Sequence, residues 1–205
     1  MRKRRDKKGL GANHLRVMDE EVRLCDDQNL LINRHIDAFT KAMTHSSSYY
    51  RRFRNAKNAI DNIRTGKKAE FFASQFLSQY LEEPFIGPDL EVHSSQHKSW
   101  SVDLPYVRLP AHVKSTTRRD DMSWVFQWAN NKGSGGQDAL FRKYGDDAII
   151  LVYLENAEEP VGWIKGVVDV QAAIPLMRDP RMEYLVGLKK CLYLSDLVER
   201  CQQLK

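Results

Sequence analysis

At 205 residues, with 42% apolar and 29% charged side chains, the chain can fill one core and is too apolar for a disordered polymer. Its net charge of +5 equals that of residues 2–8 alone, six basic side chains and one acid, so the rest of the chain is balanced. Three cysteines without paired spacing (Cys25, Cys191, Cys201) argue against a disulfide scaffold, and no run approaches the roughly 20 apolar residues of a membrane helix.

The start, MRKRRDKKGLGANH, is basic with no apolar stretch behind it, so it is expected to be a flexible arm (1–15) and not a secretory signal. Reduced thiols suit a cytoplasmic protein, while a short basic cluster leaves a nuclear address open. Leu30, Ile32, Ile36, Phe39 and Met43 recur at helical intervals and predict a helix over 29–43. Residues 49–64, YYRRFRNAKNAIDNIR, place Tyr49, Phe53, Ala56, Ile60 and Ile63 on one stripe, with the arginines mostly off it. Gly66 marks a break, and a further helix is expected over 67–82 on Ala69, Phe72, Ala73, Phe76, Leu77 and Tyr80. Glu70 falls at the shoulder of that apolar face. Residues 16–65 thus form an expected helical extension before a domain at 66–205.

After Glu83-Pro84 the pattern becomes short and alternating. Phe85-Ile86, 90–93, 101–104 and 111–114 are separated by Gly87, Pro88, Pro105 and Pro110, which predicts a meander of strands. On the last of these, His112 and Lys114 share one face. Residues 120–132 fit both a helix and an alternating strand. A helix is expected over 137–144 after the NNKGSGG loop, and 148–154 should be a central strand buried on both faces. A strand over 161–168, short helices over 171–179 and 194–204, and an edge strand at Leu192-Tyr193 complete the series. Trp124 and Trp128 can stack on bases or be buried; burial against Ile150 or Val152 is the favoured outcome.

If the second and third strands of the meander are antiparallel neighbours, Asp103 approaches His112 and Lys114. Phosphodiester hydrolysis uses such a grouping: carboxylates hold Mg²⁺, and a lysine offsets charge growing on phosphorus. The plain alternatives are a turn-capping aspartate, a solvated lysine and a hydrogen-bonded structural histidine. A zinc site from His93, His97 and His112 lacks a fourth ligand and a helix to bring the first two together.

The order of Glu70, Asp103 and His112-x-Lys114 resembles the restriction-endonuclease-like nucleases, the superfamily with the PD-(D/E)XK signature, over about residues 66–168. The resemblance implies an α/β fold with a restriction-endonuclease-like core, a mixed β-sheet with flanking helices, plus the N-terminal helical extension. It implies a DNA endonuclease of homing, restriction or recombination type, with Glu70, Asp103, His112 and Lys114 catalytic. Mg²⁺ or Mn²⁺ would be held by Asp103, Glu70 and His112, with Glu91 as a replacement carboxylate. Two departures stand out: Val102 replaces the proline, and His112 replaces the usual acid, a change that favours Mn²⁺ over Mg²⁺. The family setting also implies a homodimer or larger homo-oligomer and a viral or prokaryotic origin.

Phosphate contacts are expected from Arg51, Arg52, Arg54, Lys57, Lys67 and Lys68, then from Arg118, Arg119 and Lys132. Gln137 resembles a glutamine that some family members carry on their second helix. Charge alone does not choose DNA over RNA. A non-catalytic nucleic-acid-binding module on the same fold is the alternative.

Overall fold

The computed structural model describes residues 15–45, 56–92, 102–128, 141 and 147–204. Strand β1 (Leu15–Arg23) leads into helix α1 (Asp26–His45), and α2 (Ala56–Leu81) follows. Strands β2 (Ala111–Thr116), β3 (Ser123–Gln127), β4 (Ala148–Tyr153) and β5 (Val161–Asp169) come next. A short helix α3 (Val170–Ala173), strand β6 (Lys189–Tyr193) and helix α4 (Leu194–Gln203) close the chain. The architecture is mixed α/β: a central mixed sheet of order β1-β5-β4-β2 with flanking helices, and a separate β3-β6 pair. Among the described strands of this sheet, β2 and β4 run parallel, while β4 with β5, and β5 with β1, are antiparallel.

β4 is buried throughout its length, as its unbroken apolar run predicts. Ile150 and Val152 join one core with Ile32 and Ile36 of α1 and Phe72, Phe76 and Leu77 of α2. Ile149 and Leu151 join a second core with Trp124 and Phe126 of β3, Leu192 of β6 and Leu197 of α4. The sheet therefore separates a helical layer from a layer built on the β3-β6 ribbon. Trp124 is buried, and its indole N–H donates to the Val152 carbonyl at 3.0 Å. The ambiguous 120–132 stretch thus contains a strand, because Trp124 and Phe126 alternate into that second core.

Three expectations change. The segment at 15–23 is a strand, paired with β5 through a bulge between Val17 and Glu20 that breaks its alternation. The helices expected on either side of Gly66 are one. A Cβ at Gly66 would meet nothing within 4 Å, and the helical cost of glycine, about 1 kcal/mol, is outweighed by the buried stripe of Ala69, Phe72 and Phe76.

The meander is also reduced. Residues 83–92 form no strand, and Leu104↔Ala111 is an isolated antiparallel bridge. Part of the backbone of 83–92 is bonded by side chains instead of a ladder. Ser74 Oγ donates to the Ile86 carbonyl, the Ile86 N–H donates to Tyr106 Oη at 3.1 Å, and His35 Nδ1 lies 2.7 Å from the Leu90 carbonyl. The helix expected over 137–144 lies outside the described residues except for helical Phe141. Among the described residues, no helix is long and apolar enough to cross a membrane.

Candidate functional site

β2 is an edge strand of the four-stranded sheet, and its sequence AHVKST alternates between the two layers. Ala111 and Val113 pack with the α1-α2 core. His112 and Lys114 pair in register with Ile149 and Leu151, whose side chains belong to the other core. Lys114 Nζ accordingly lies 5.2 Å from the centroid of the Phe126 ring. The strand period alone puts imidazole and ammonium on one face, as the sequence implies.

Asp103 reaches this strand through the Leu104↔Ala111 bridge, where the two residues exchange N–H···O bonds of 3.0 Å each. Two residues further along the same edge, the Val113 N–H donates to Asp103 Oδ2 at 2.8 Å. The carboxylate takes the place of the backbone acceptor that a longer ladder would supply. This fixes an anion at the edge of the strand that displays His112 and Lys114, and it also caps that edge.

His112 is buried, and its Nε2 lies 3.5 Å from Asp147 Oδ2. Asp147 immediately precedes β4, and the parallel register sets it in the row of Ile149 and Leu151, beside His112. Sequence reading missed Asp147. Its only signal is that it is the last charged residue before the apolar run, and its neighbour is set by a tertiary register.

The other expected ligands lie elsewhere. Glu70 sits on α2, which packs on the Val113 side of the sheet, and its Oε2 lies 2.7 Å from Lys67 Nζ. Glu91 is exposed, and its N–H donates to Asp89 Oδ1 at 2.8 Å. Among the described residues, no three His, Cys, Asp or Glu side chains gather closely enough to hold a metal ion. Two carboxylates and an imidazole near β2 are hard and borderline donors suited to Mn²⁺, but they are divided into Asp103 on one side and the His112–Asp147 pair on the other.

The expected phosphate contacts are equally divided. Lys57 is exposed on the first turn of α2. Lys67 is engaged by Glu70. Lys68 is buried and donates to the Glu158 and Glu159 carbonyls at 3.0 Å each; desolvation by burial lowers its pKa, and the nearby Glu158 charge partly offsets this. Arg118 and Arg119 are exposed just beyond β2; Arg118 donates to Met182 Sδ at 3.4 Å, and Arg119 lies 3.6 Å from Glu155. Arg51, Arg52, Arg54, Lys132 and Gln137 lie outside the described residues.

Arg119 also borders a cleft of about 540 Å³ with Asp120, Asp121, Arg181 and Glu199. Its Arg181–Asp121 pair, at 3.3 Å, makes this a mixed-charge surface. No protein-family model matches the sequence, and no curated protein or solved structure matches it either.

Proposed function

We propose that the chain is a divalent-metal-dependent endonuclease acting on DNA phosphodiester bonds, with a restriction-endonuclease-like core. The observation that carries this reading is the Asp103–Val113 hydrogen bond of 2.8 Å, which holds a carboxylate against the strand bearing His112 and Lys114. In this scheme Asp103, at the strand edge, would offer its carboxylate to Mg²⁺ or Mn²⁺, an ion that would supply an activated water and offset charge on the phosphoryl oxygens. Lys114 places a point charge beside the scissile phosphate and stabilises the charge that builds in the transition state. Arg118 and Arg119, immediately after β2, would contact the backbone next to it. Cutting both strands would call for a symmetric pair of chains.

A non-catalytic nucleic-acid-binding module is the second reading, favoured by the absence of a three-ligand cluster among the described residues. Incubation of supercoiled plasmid with the chain in Mn²⁺, Mg²⁺ or chelator separates the two. The nuclease reading expects nicked or linear product with either ion and none in chelator. Salt-sensitive binding without product in either ion replaces it with the binding module.

A further inference from the structure

Trp124 and Trp128, the side chains that could stack on bases, are both occupied within the protein. Trp124 is buried, and Trp128 meets the Phe141 ring edge-on at a centroid distance of 5.2 Å, with Lys190 over its own ring. Among the described residues, the aromatic ring most open to solvent is Tyr184, 73% exposed, and Val186, two residues on, is 49% exposed. Neither packs into a core. Both stand on the turn 182–188 that leads into β6. Backbone bonds brace this turn: the Leu185 N–H donates to Met182 O at 2.9 Å, Val186 to Glu183 O at 3.1 Å and Leu188 to Leu185 O at 3.0 Å. Gly187 supplies the φ of +77° that closes it. At its base, Arg178 and Cys191 exchange backbone bonds of 2.9 and 2.8 Å. The Tyr184 hydroxyl donates to Met182 Sδ at 3.1 Å, which directs the ring. A tyrosine fixed in this way meets a partner with little ordering left to lose.

Cations surround the turn. Residues 178–190 carry four basic side chains against Asp179 and Glu183. Arg178 and Arg181 are exposed, and their pairs with Asp196 at 2.6 Å and Asp121 at 3.3 Å fix where the guanidinium groups stand. Arg118, two residues beyond β2, donates to Met182 Sδ at 3.4 Å, which ties the turn to the strand bearing His112 and Lys114. We propose that the turn is a stacking platform for an unpaired base of DNA, with Tyr184 under the base and Arg118, Arg178 and Arg181 against the flanking phosphates. The inference deepens the nuclease reading and rests on it for DNA as the partner. Every base offers a π-face, so one exposed ring among arginines holds an opened strand without choosing its sequence. Glu183 favours this partner over a membrane surface. A carboxylate is costly to carry into hydrocarbon, whereas beside a base it can accept from an exocyclic amine.

The test is fluorescence anisotropy of a labelled single-stranded DNA oligonucleotide with the full chain, in chelator to prevent cleavage and over a series of salt concentrations. Y184L is expected to weaken binding about 5- to 100-fold, the loss of one stacked base. Y184F should bind within about twofold of the wild type, because stacking uses the ring and not the hydroxyl. The slope of log affinity against log salt should be the same for Y184L and the wild type, since no phosphate contact is lost, whereas R181Q should lower it by about one. A structural role for Tyr184 would move the slope as well, by displacing the arginines. Tyr184 lies largely in solvent, so Y184L should fold, and thermal melting checks this.

Y184L affinity within about twofold of the wild type, a loss in Y184F as large as in Y184L, or no salt-sensitive binding by the wild type would each overturn the proposal. Cosedimentation of wild type and Y184L alike with phosphatidylcholine–phosphatidylserine vesicles, with DNA affinity indifferent to the ring, would overturn it in favour of a membrane surface. Ring-dependent DNA binding without plasmid cleavage in Mg²⁺ or Mn²⁺ retains the platform and discards the nuclease. Plasmid cleavage by a chain whose Y184L variant binds DNA as tightly as the wild type does the reverse.

Discussion

Lys68 and His112 are almost equally enclosed, 5% and 6% exposed, yet they meet different partners. Lys68, on α2, donates to two backbone carbonyls of the β4–β5 connection, and Arg64 one turn earlier pairs with Glu158 in the same connection. Carbonyls neither ionise nor leave, so this cation serves as a clamp between helix and loop. His112 faces an ionisable carboxylate from an adjacent strand, on the face that also carries Lys114. Burial of charge is therefore not in itself a sign of function. The kind of partner is what distinguishes a clamp from a candidate site.

If the helical layer is the structural side, damage there should appear as lost stability. The largest effect is expected at Gly162 of β5, where a Cβ would lie 2.7 Å from the Phe72 ring. Phe72 is fully buried and cannot retreat without disturbing the α2 core. G162V should therefore cost about 3 kcal/mol in chemical denaturation, the upper part of the range for overpacked sites. A loss below about 0.5 kcal/mol would show that this layer yields easily and would blur the contrast with the β3-β6 side.

A smaller effect is expected at the clamp. K68A leaves two carbonyl acceptors without their ammonium and should cost about 1–2 kcal/mol. Its pH dependence has a definite sign. Burial lowers the folded pKa of Lys68 below the 10.5 of an unperturbed lysine. Between those two values the unfolded chain binds more protons, so the wild type gains stability relative to K68A as pH rises through that window. Parallel stability curves for the two proteins from neutral pH to above 10.5 would remove the desolvation cost from the account.

How much of this was legible in the sequence depends on the range of the interaction concerned. β4, β5, α1 and α4 follow from periodicity, because each carries its own apolar pattern. Trp124 is buried as favoured, but on the other face of β4, with Ile149 and Leu151 in place of the expected Ile150 or Val152. β1 was not legible: its bulge sets Met18 and Asp19 out of phase, and its partner β5 is distant in the chain. The expected strands at 85–86 and 90–93 form no ladder among the described residues; Ser74 and Tyr106 bond Ile86, and His35 approaches the Leu90 carbonyl, from other elements. At the site, alternation along one strand was enough to put His112 and Lys114 together. Asp103 joined them through a bridge that the prolines allowed but did not require. Asp147 needed the parallel register of β2 and β4, which no local pattern encodes.

In the proposed nuclease, Asp103 and Lys114 perform chemistry at the edge of β2 and are more than a cap and a surface cation. The most direct measurement is plasmid cleavage by D103N and K114M in Mn²⁺, with DNA affinity measured on the same preparations. D103N keeps an acceptor for the Val113 N–H, and K114M keeps the apolar stem against Phe126, so both should fold. Each is expected to lose about 100-fold or more in cleavage rate while DNA affinity stays within a few-fold of the wild type. Cleavage by either variant at the wild-type rate would contradict the account.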